Sequence, residues 1–143
     1  MSVVGNFKEA CRTNNLDEVK RCLELPDFKY EWINDGLYCA CFWGCLKVAE
    51  YLLPSVDNIN INWLKHCYPM VDQQYKETEY LTIIQMLLDH GGLGNFNLKD
   101  ITFIQNGESF YLERSDFKQK AKTLITEYLY RIDGPIYNQN VIG

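Results

Sequence analysis

The sequence predicts a mainly α fold: a helical solenoid of about three helix pairs, closed at its C-terminal end by a β-hairpin and a capping helix. Three observations predict it. First, Phe7-x-x-Ala10-Cys11-x-x-Asn14-x-Leu16-x-x-Val19-x-x-Cys22-Leu23 returns thirty positions later as Leu37-x-x-Ala40-Cys41-x-x-Gly44-x-Leu46-x-x-Ala49-x-x-Leu52-Leu53. Each copy reads as a small-residue helix, an Asn or Gly break and an aliphatic helix. One such unit cannot bury its own apolar face, so copies must stack. Second, Leu81 to Leu88 supplies a third aliphatic helix. Third, Asn106-Gly107 lies between two β-rich runs, a hairpin signal.

In the first unit (about 5–33), Phe7, Ala10 and Cys11 share one helical face, and Asn14-Asn15 breaks it. Leu16, Val19, Cys22 and Leu23 form the next face at helical spacing, and Pro26 ends that helix. In the second unit (34–60), Asn34 or Asp35 caps a helix carrying Leu37, Ala40 and Cys41. Gly44 turns the chain, and Pro54 stops the helix from Leu46 to Leu53. The third unit (61–97) is irregular. Leu64-x-x-Cys67 stands for Leu37-x-x-Ala40, and Leu81–Leu88, closed by His90-Gly91-Gly92, is its second helix. Leu64 to Leu81 spans 17 positions where Leu37 to Leu46 spans 9, so about eight residues are inserted around Pro69–Thr78. Such insertions map to loops on one face of a solenoid, often the binding face; a lengthened helix is the alternative.

The hairpin is predicted at 101–112 and should pack on the last unit, since isolated hairpins are marginal. Ser115 then caps a helix at 115–132 with Phe117, Ala121, Leu124, Ile125, Tyr128, Leu129 and Ile132 on one stripe. Lys118, Lys122, Thr126 and Arg131 fall on its other face, as a terminal cap requires. The tail at 133–143 is polar and expected to be loose. The whole, 1–143, reads as a single domain.

Fourteen Lys and Arg stand against nineteen Asp and Glu, with no basic stripe, which argues against nucleic acid as the main partner. No apolar run approaches the ~20 residues that span a bilayer, so no membrane role is expected. The first residues lack the n- and h-regions of a signal peptide; a cytoplasmic location and reduced thiols are the expectation. Cys39, Cys41, Cys45, His66 and Cys67 lie close together, yet the repeat puts Cys11 and Cys41 in equivalent core slots. Thiols two apart on a helix diverge by about 200°, and no CxxC pair occurs, so no metal site and no cofactor are expected. No Gly-x-Ser-x-Gly, phosphate loop or His-Glu-x-x-His is present, which argues against an enzyme.

The second unit, Leu37-Tyr38-Cys39-Ala40-Cys41-Phe42-Trp43-Gly44-Cys45-Leu46-Lys47-Val48-Ala49-Glu50-Tyr51-Leu52-Leu53, resembles the ankyrin-repeat family, whose usual repeat reads Leu-His-x-Ala-Ala-x-x-Gly-His-Leu-Glu-Ile-Val-x-x-Leu-Leu. It departs by its thirty-residue period and by Asp35-Gly36 where the family has Thr-Pro. In these it is similar to the short-repeat ankyrin proteins of large DNA viruses. The resemblance implies a protein-interaction module, with a viral role in binding and then inhibiting or redirecting a host or defence protein. It also implies that the two residues before each break face the partner: Phe42 and Trp43, with Arg12 and Thr13 in the first unit. Trp32 and Asn34, in the link entering the second unit, are expected on the same surface. Two Trp and a Phe there would anchor an interface, unless Phe42 and Trp43 pack on the third-unit insertion. Self-association through the hairpin edge is the other reading.

Overall fold

The sequence repeat is a geometric repeat in the computed structural model, which describes residues 2–91, 99 and 115–142. Helices α1 (Val3–Arg12) and α2 (Leu16–Leu23) form the first pair, and α3 (Trp32–Trp43) and α4 (Leu46–Leu52) the second. At the break in each pair, Asn14 and Gly44 adopt left-handed backbone, φ 59° and 68°. Asn is the side chain that tolerates this region best after glycine. The next residue closes both turns alike. Asn15 donates its N–H to Ala10 O at 2.9 Å, and Cys45 donates to Ala40 O at 2.8 Å. The second helices then start from matching backbone, φ/ψ −92°/84° at Asn15 and −89°/83° at Cys45.

The apolar positions of the two copies are the core. Phe7, Ala10 and Cys11 in α1 and Leu37, Ala40 and Cys41 in α3 are buried, as are Val19, Cys22, Ala49 and Leu52 of the second helices. Helix α1 packs on α3 and α3 on α5 (Ile61–Lys65). Behind them α2 touches α4, and α4 touches α6 (Glu77–His90). Gly36 permits the first contact: a Cβ there would lie 2.6 Å from the Phe7 ring and 2.9 Å from Cys11 Sγ. Leu64 and Cys67 continue this core into the third unit.

The inserted residues resolve into both expected forms. Val71–Lys76 make a 3₁₀ turn, and α6 then runs for 14 residues against 7 in α4. Helix α7 (Ser115–Ile142) packs on α6. Lys120 lies 3.5 Å from Glu77 at the start of α6, and Arg131 lies 3.7 Å from Asp89 at its end, so α6 and α7 run in the same direction. Phe117, Ala121, Ile125 and Leu129 make the buried stripe of α7, with Leu124 and Tyr128 half-buried beside them; the Ile132 side chain is outside the described residues.

Three expectations are corrected. The fold is mainly α, but the C-terminal β-hairpin is not part of it: among the described residues every regular element is helical and none is a strand. Residues 101–112 themselves lie outside the described residues. The polar tail from Asp133 is helical as far as Ile142; polar composition does not prevent regular backbone bonding. Helix α3 opens at Trp32, through backbone bonds from Trp32 N to Lys29 O and Ile33 N to Tyr30 O, so Asn34 and Asp35 sit inside its first turn and do not cap it.

Candidate functional site

Residues 34, 38 and 42 recur every fourth position on α3 and so share one face. Asn34 and Tyr38 are exposed and Phe42 is half-buried. The Tyr38 and Phe42 rings lie 6.1 Å apart, and Phe42 meets the half-buried Trp43 ring edge-on at 5.2 Å. From the first unit, the Arg12 guanidinium sits 5.6 Å from the Trp43 ring centre. On the third unit, His66 meets Tyr38 at 5.7 Å. Arg12, Trp43, Phe42, Tyr38 and His66 thus form one row across the ends of the three first helices. Thr13, exposed beside Arg12, donates its hydroxyl to Glu9 O at 2.8 Å and closes α1.

Arg12 is itself oriented. Its Nε donates to Glu9 Oε2 at 2.9 Å and its Nη2 to Glu9 Oε1. This pairing holds the Glu9 carboxyl below its ordinary range. The pair is solvent-exposed and so adds little stability; its effect is to keep the guanidinium over Trp43.

The backbone under the row is fixed by donors from later units. The last carbonyls of a helix have no partner within it. Phe42 O takes the Tyr80 hydroxyl at 2.8 Å, and Trp43 O takes Lys76 Nζ at 2.9 Å, where a cation also suits the negative end of the helix dipole. Tyr80 is fully buried, with Gln73 Oε1 2.8 Å from its hydroxyl, and burial pushes its phenol up. A Cβ on Gly44 would come within 2.7 Å of the Tyr80 ring. The same tie occurs one unit earlier with different chemistry. Cys45, which precedes Leu46 as Tyr80 precedes Leu81, directs Sγ at Arg12 O, 3.3 Å away. Arg12 and Phe42 are thirty positions apart.

The expected site is therefore divided. Arg12, Thr13, Phe42 and Trp43 come together, and Asn34 lies on the same face of α3. Trp32 does not join them. It opens the helix that Trp43 closes, about 16 Å away along the axis, and packs on Phe28 at 5.3 Å, which packs on Phe7 at 4.9 Å. The link bends Trp32 back toward α1 because this aromatic trio covers the end of the core. Sequence reasoning missed Tyr38 and His66 in the row, and Lys76 and Tyr80 beneath it. Tyr38 carried a readable signal, lying one helical turn before Phe42.

Cys11, Cys22, Cys41, Cys45 and Cys67 are buried free thiols and Cys39 is half-buried. Burial raises the thiols of Cys11, Cys39, Cys45 and Cys67, which disfavours the reactive thiolate. Among the described residues no three His, Cys, Asp or Glu side chains converge to hold a metal ion. His90 bonds Val56 O at 2.6 Å, away from the row. A groove of about 720 Å³ lies elsewhere, between α6 and α7. Leu81 and Leu124 floor it, with Thr82, Gln85 and Thr123 among its polar neighbours. No aromatic side chain is among its lining residues, so the row is the better candidate. No protein-family model, curated protein or solved structure matches this chain, and the functional reading rests on its own residues.

Proposed function

We propose that this protein acts by binding another protein, not by catalysis, and that the row Arg12–Trp43–Phe42–Tyr38–His66 is the centre of its binding surface. One observation carries the reading: rings from the second and third units and an Arg from the first form a continuous, partly exposed line on a backbone clamped by Tyr80 and Lys76. Trp, Tyr and Arg are the residues that most often dominate interface energy. A clamped backbone reduces what must be ordered on binding. Blocking or redirecting the bound protein is how such a module would act.

The test is a quantitative pull-down with Trp43→Ala beside Gln119→Ala, a change on the remote α6/α7 groove. Trp43→Ala should lose about 2 kcal/mol or more of binding, while Gln119→Ala retains it. A partner held equally by both variants removes the row from the interface. Thermal melts of both variants separate lost binding from lost fold.

A further inference from the structure

We propose that the groove between α6 and α7 is a self-association site, in which a second copy of this chain docks antiparallel along α7. The site lies apart from the row and does not rest on it. Asp116, Lys120, Thr123, Glu127 and Tyr130 recur at steps of four and three along α7, so they share one face. All five are exposed, whereas the stripe of Phe117, Ala121, Ile125 and Leu129 is buried. The groove floored by Leu81 and Leu124 meets a second hollow, of about 580 Å³, at Gln85, which lines both. Glu127, Tyr130 and Arg131 line that second hollow, so the trough follows α7 from Asp116 to Arg131, about 22 Å.

The order of charges along α7 identifies the occupant. Read forward it is acid, cation, acid, cation: Asp116, Lys120, Glu127, Arg131. Read backward it is cation, acid, cation, acid, so an antiparallel copy sets every charge against its opposite. Asp116 and Arg131 are equally far from the midpoint between Thr123 and Leu124, and so are Lys120 and Glu127. One two-fold axis through that midpoint therefore pairs Asp116 with the partner's Arg131 and Lys120 with the partner's Glu127, and the symmetry repeats both contacts. A parallel copy would set like charges together, which is costly. The same axis carries the Tyr130 ring, 55% exposed, to the end of the partner's groove beside Asp116 and Lys120.

Lys120 and Arg131 already face acids of their own chain, Glu77 at 3.5 Å and Asp89 at 3.7 Å. Both cations are still more than half exposed, at 56 and 61%, so each can take a second carboxylate without leaving the first. In the dimer each stands between one acid of its own chain and one of the partner. With four acids and two cations on each copy's face, these pairs set register and orientation and add little affinity. Affinity comes from covering Leu81, Leu124 and the two Tyr130 rings, at ~150–250 Å² for a buried tyrosine. That is the small end of specific interfaces, so association is expected at protein concentrations on the order of 10–100 μM.

The experiment is sedimentation velocity of the full chain from low to several hundred micromolar. The expected result is a reversible rise from monomer toward dimer. Lys120→Glu and Glu127→Lys should each weaken it about tenfold or more, because each sets like charges together twice. Tyr130→Ser should weaken it by a similar factor. Mixing the Lys120→Glu and Glu127→Lys proteins should restore association, since each then meets the opposite charge across the axis. That rescue also shows that both variants are folded, and loss of the Lys120–Glu77 pair within one chain cannot produce it. A chain that stays monomeric throughout, as when residues 92–114 of the same chain occupy the groove, overturns the proposal. A dimer indifferent to both reversals, or not restored by mixing, places the interface elsewhere and overturns it equally.

Discussion

Gly44→Ala is the substitution whose outcome the structure fixes most tightly, because two independent penalties meet at one atom. The backbone is left-handed there, φ 68°, where a residue with a Cβ loses roughly 1–2 kcal/mol. The new methyl would also lie 2.7 Å from a Tyr80 ring carbon. That ring cannot swing aside: it is fully buried, and its hydroxyl lies 2.8 Å from both Phe42 O and Gln73 Oε1. Overpacking of such a site costs about 1–3 kcal/mol. The sum, about 2–5 kcal/mol, is a large part of the ~5–15 kcal/mol that holds a domain of this size together. Urea denaturation measures it, with an unchanged m-value as the sign that the change lies in stability. Repeating the substitution in a Tyr80→Leu background removes the ring and should recover the overpacking share, leaving the backbone share. A loss below about 1 kcal/mol in the parent, or strict additivity with Tyr80→Leu, would refute the argument.

Tyr80→Phe removes the donor to Phe42 O and should cost about 1–3 kcal/mol by leaving a helix-end carbonyl unpaired, read by the same denaturation. Trp43→Ala should cost less than the ~3–5 kcal/mol of a fully buried Trp, because the ring is half-exposed; a larger loss in the melt identifies Trp43 as core. Alkaline pH should destabilise the protein. The folded thiols of Cys11 and Cys67 titrate above the ordinary value of 9.0, so the stabilisation is complete below pH 9.0 and is lost above it, as the unfolded thiols release protons that the folded ones keep. Each contributes about 1.4 kcal/mol per pH unit there; Cys11→Ala should shallow the slope of stability against pH, and an unchanged slope counts against this origin.

How far the sequence could be read depended on whether a feature was local. The breaks at Asn14 and Gly44 and the burial of Ala40 and Cys41 follow from a residue and its neighbours within one unit, and the thirty-residue period displayed each of them twice. Asn106-Gly107 was equally local, but turn chemistry does not decide whether its flanks become strands. Trp32 was misplaced for a different reason. Its partner Phe28 lies four residues earlier, in the link between the units, and no periodicity there says which end of α3 the link will cover. Tyr80 and Lys76 had no signal at all, because their partners are carbonyl oxygens 38 and 33 residues away. A backbone acceptor is the same atom on every residue, so the sequence cannot mark which one is used.

That distinction explains why the irregular unit supports the candidate row. In the first two units a thiol, Cys45, closes the tie to Arg12 O, and a thiol is a weak, short donor. A third copy of the strict repeat could place no more than that under α3. The eight extra residues instead bring Lys76 to Trp43 O, and Tyr80 brings a full-length phenol to Phe42 O. These two bonds occupy the carbonyls of the two aromatic residues that lead the row. They hold the row's backbone. The insertion that breaks the repeat is therefore what turns the ends of three first helices into one fixed surface, and shortening it should loosen Phe42 and Trp43 together while leaving the first helix pair intact.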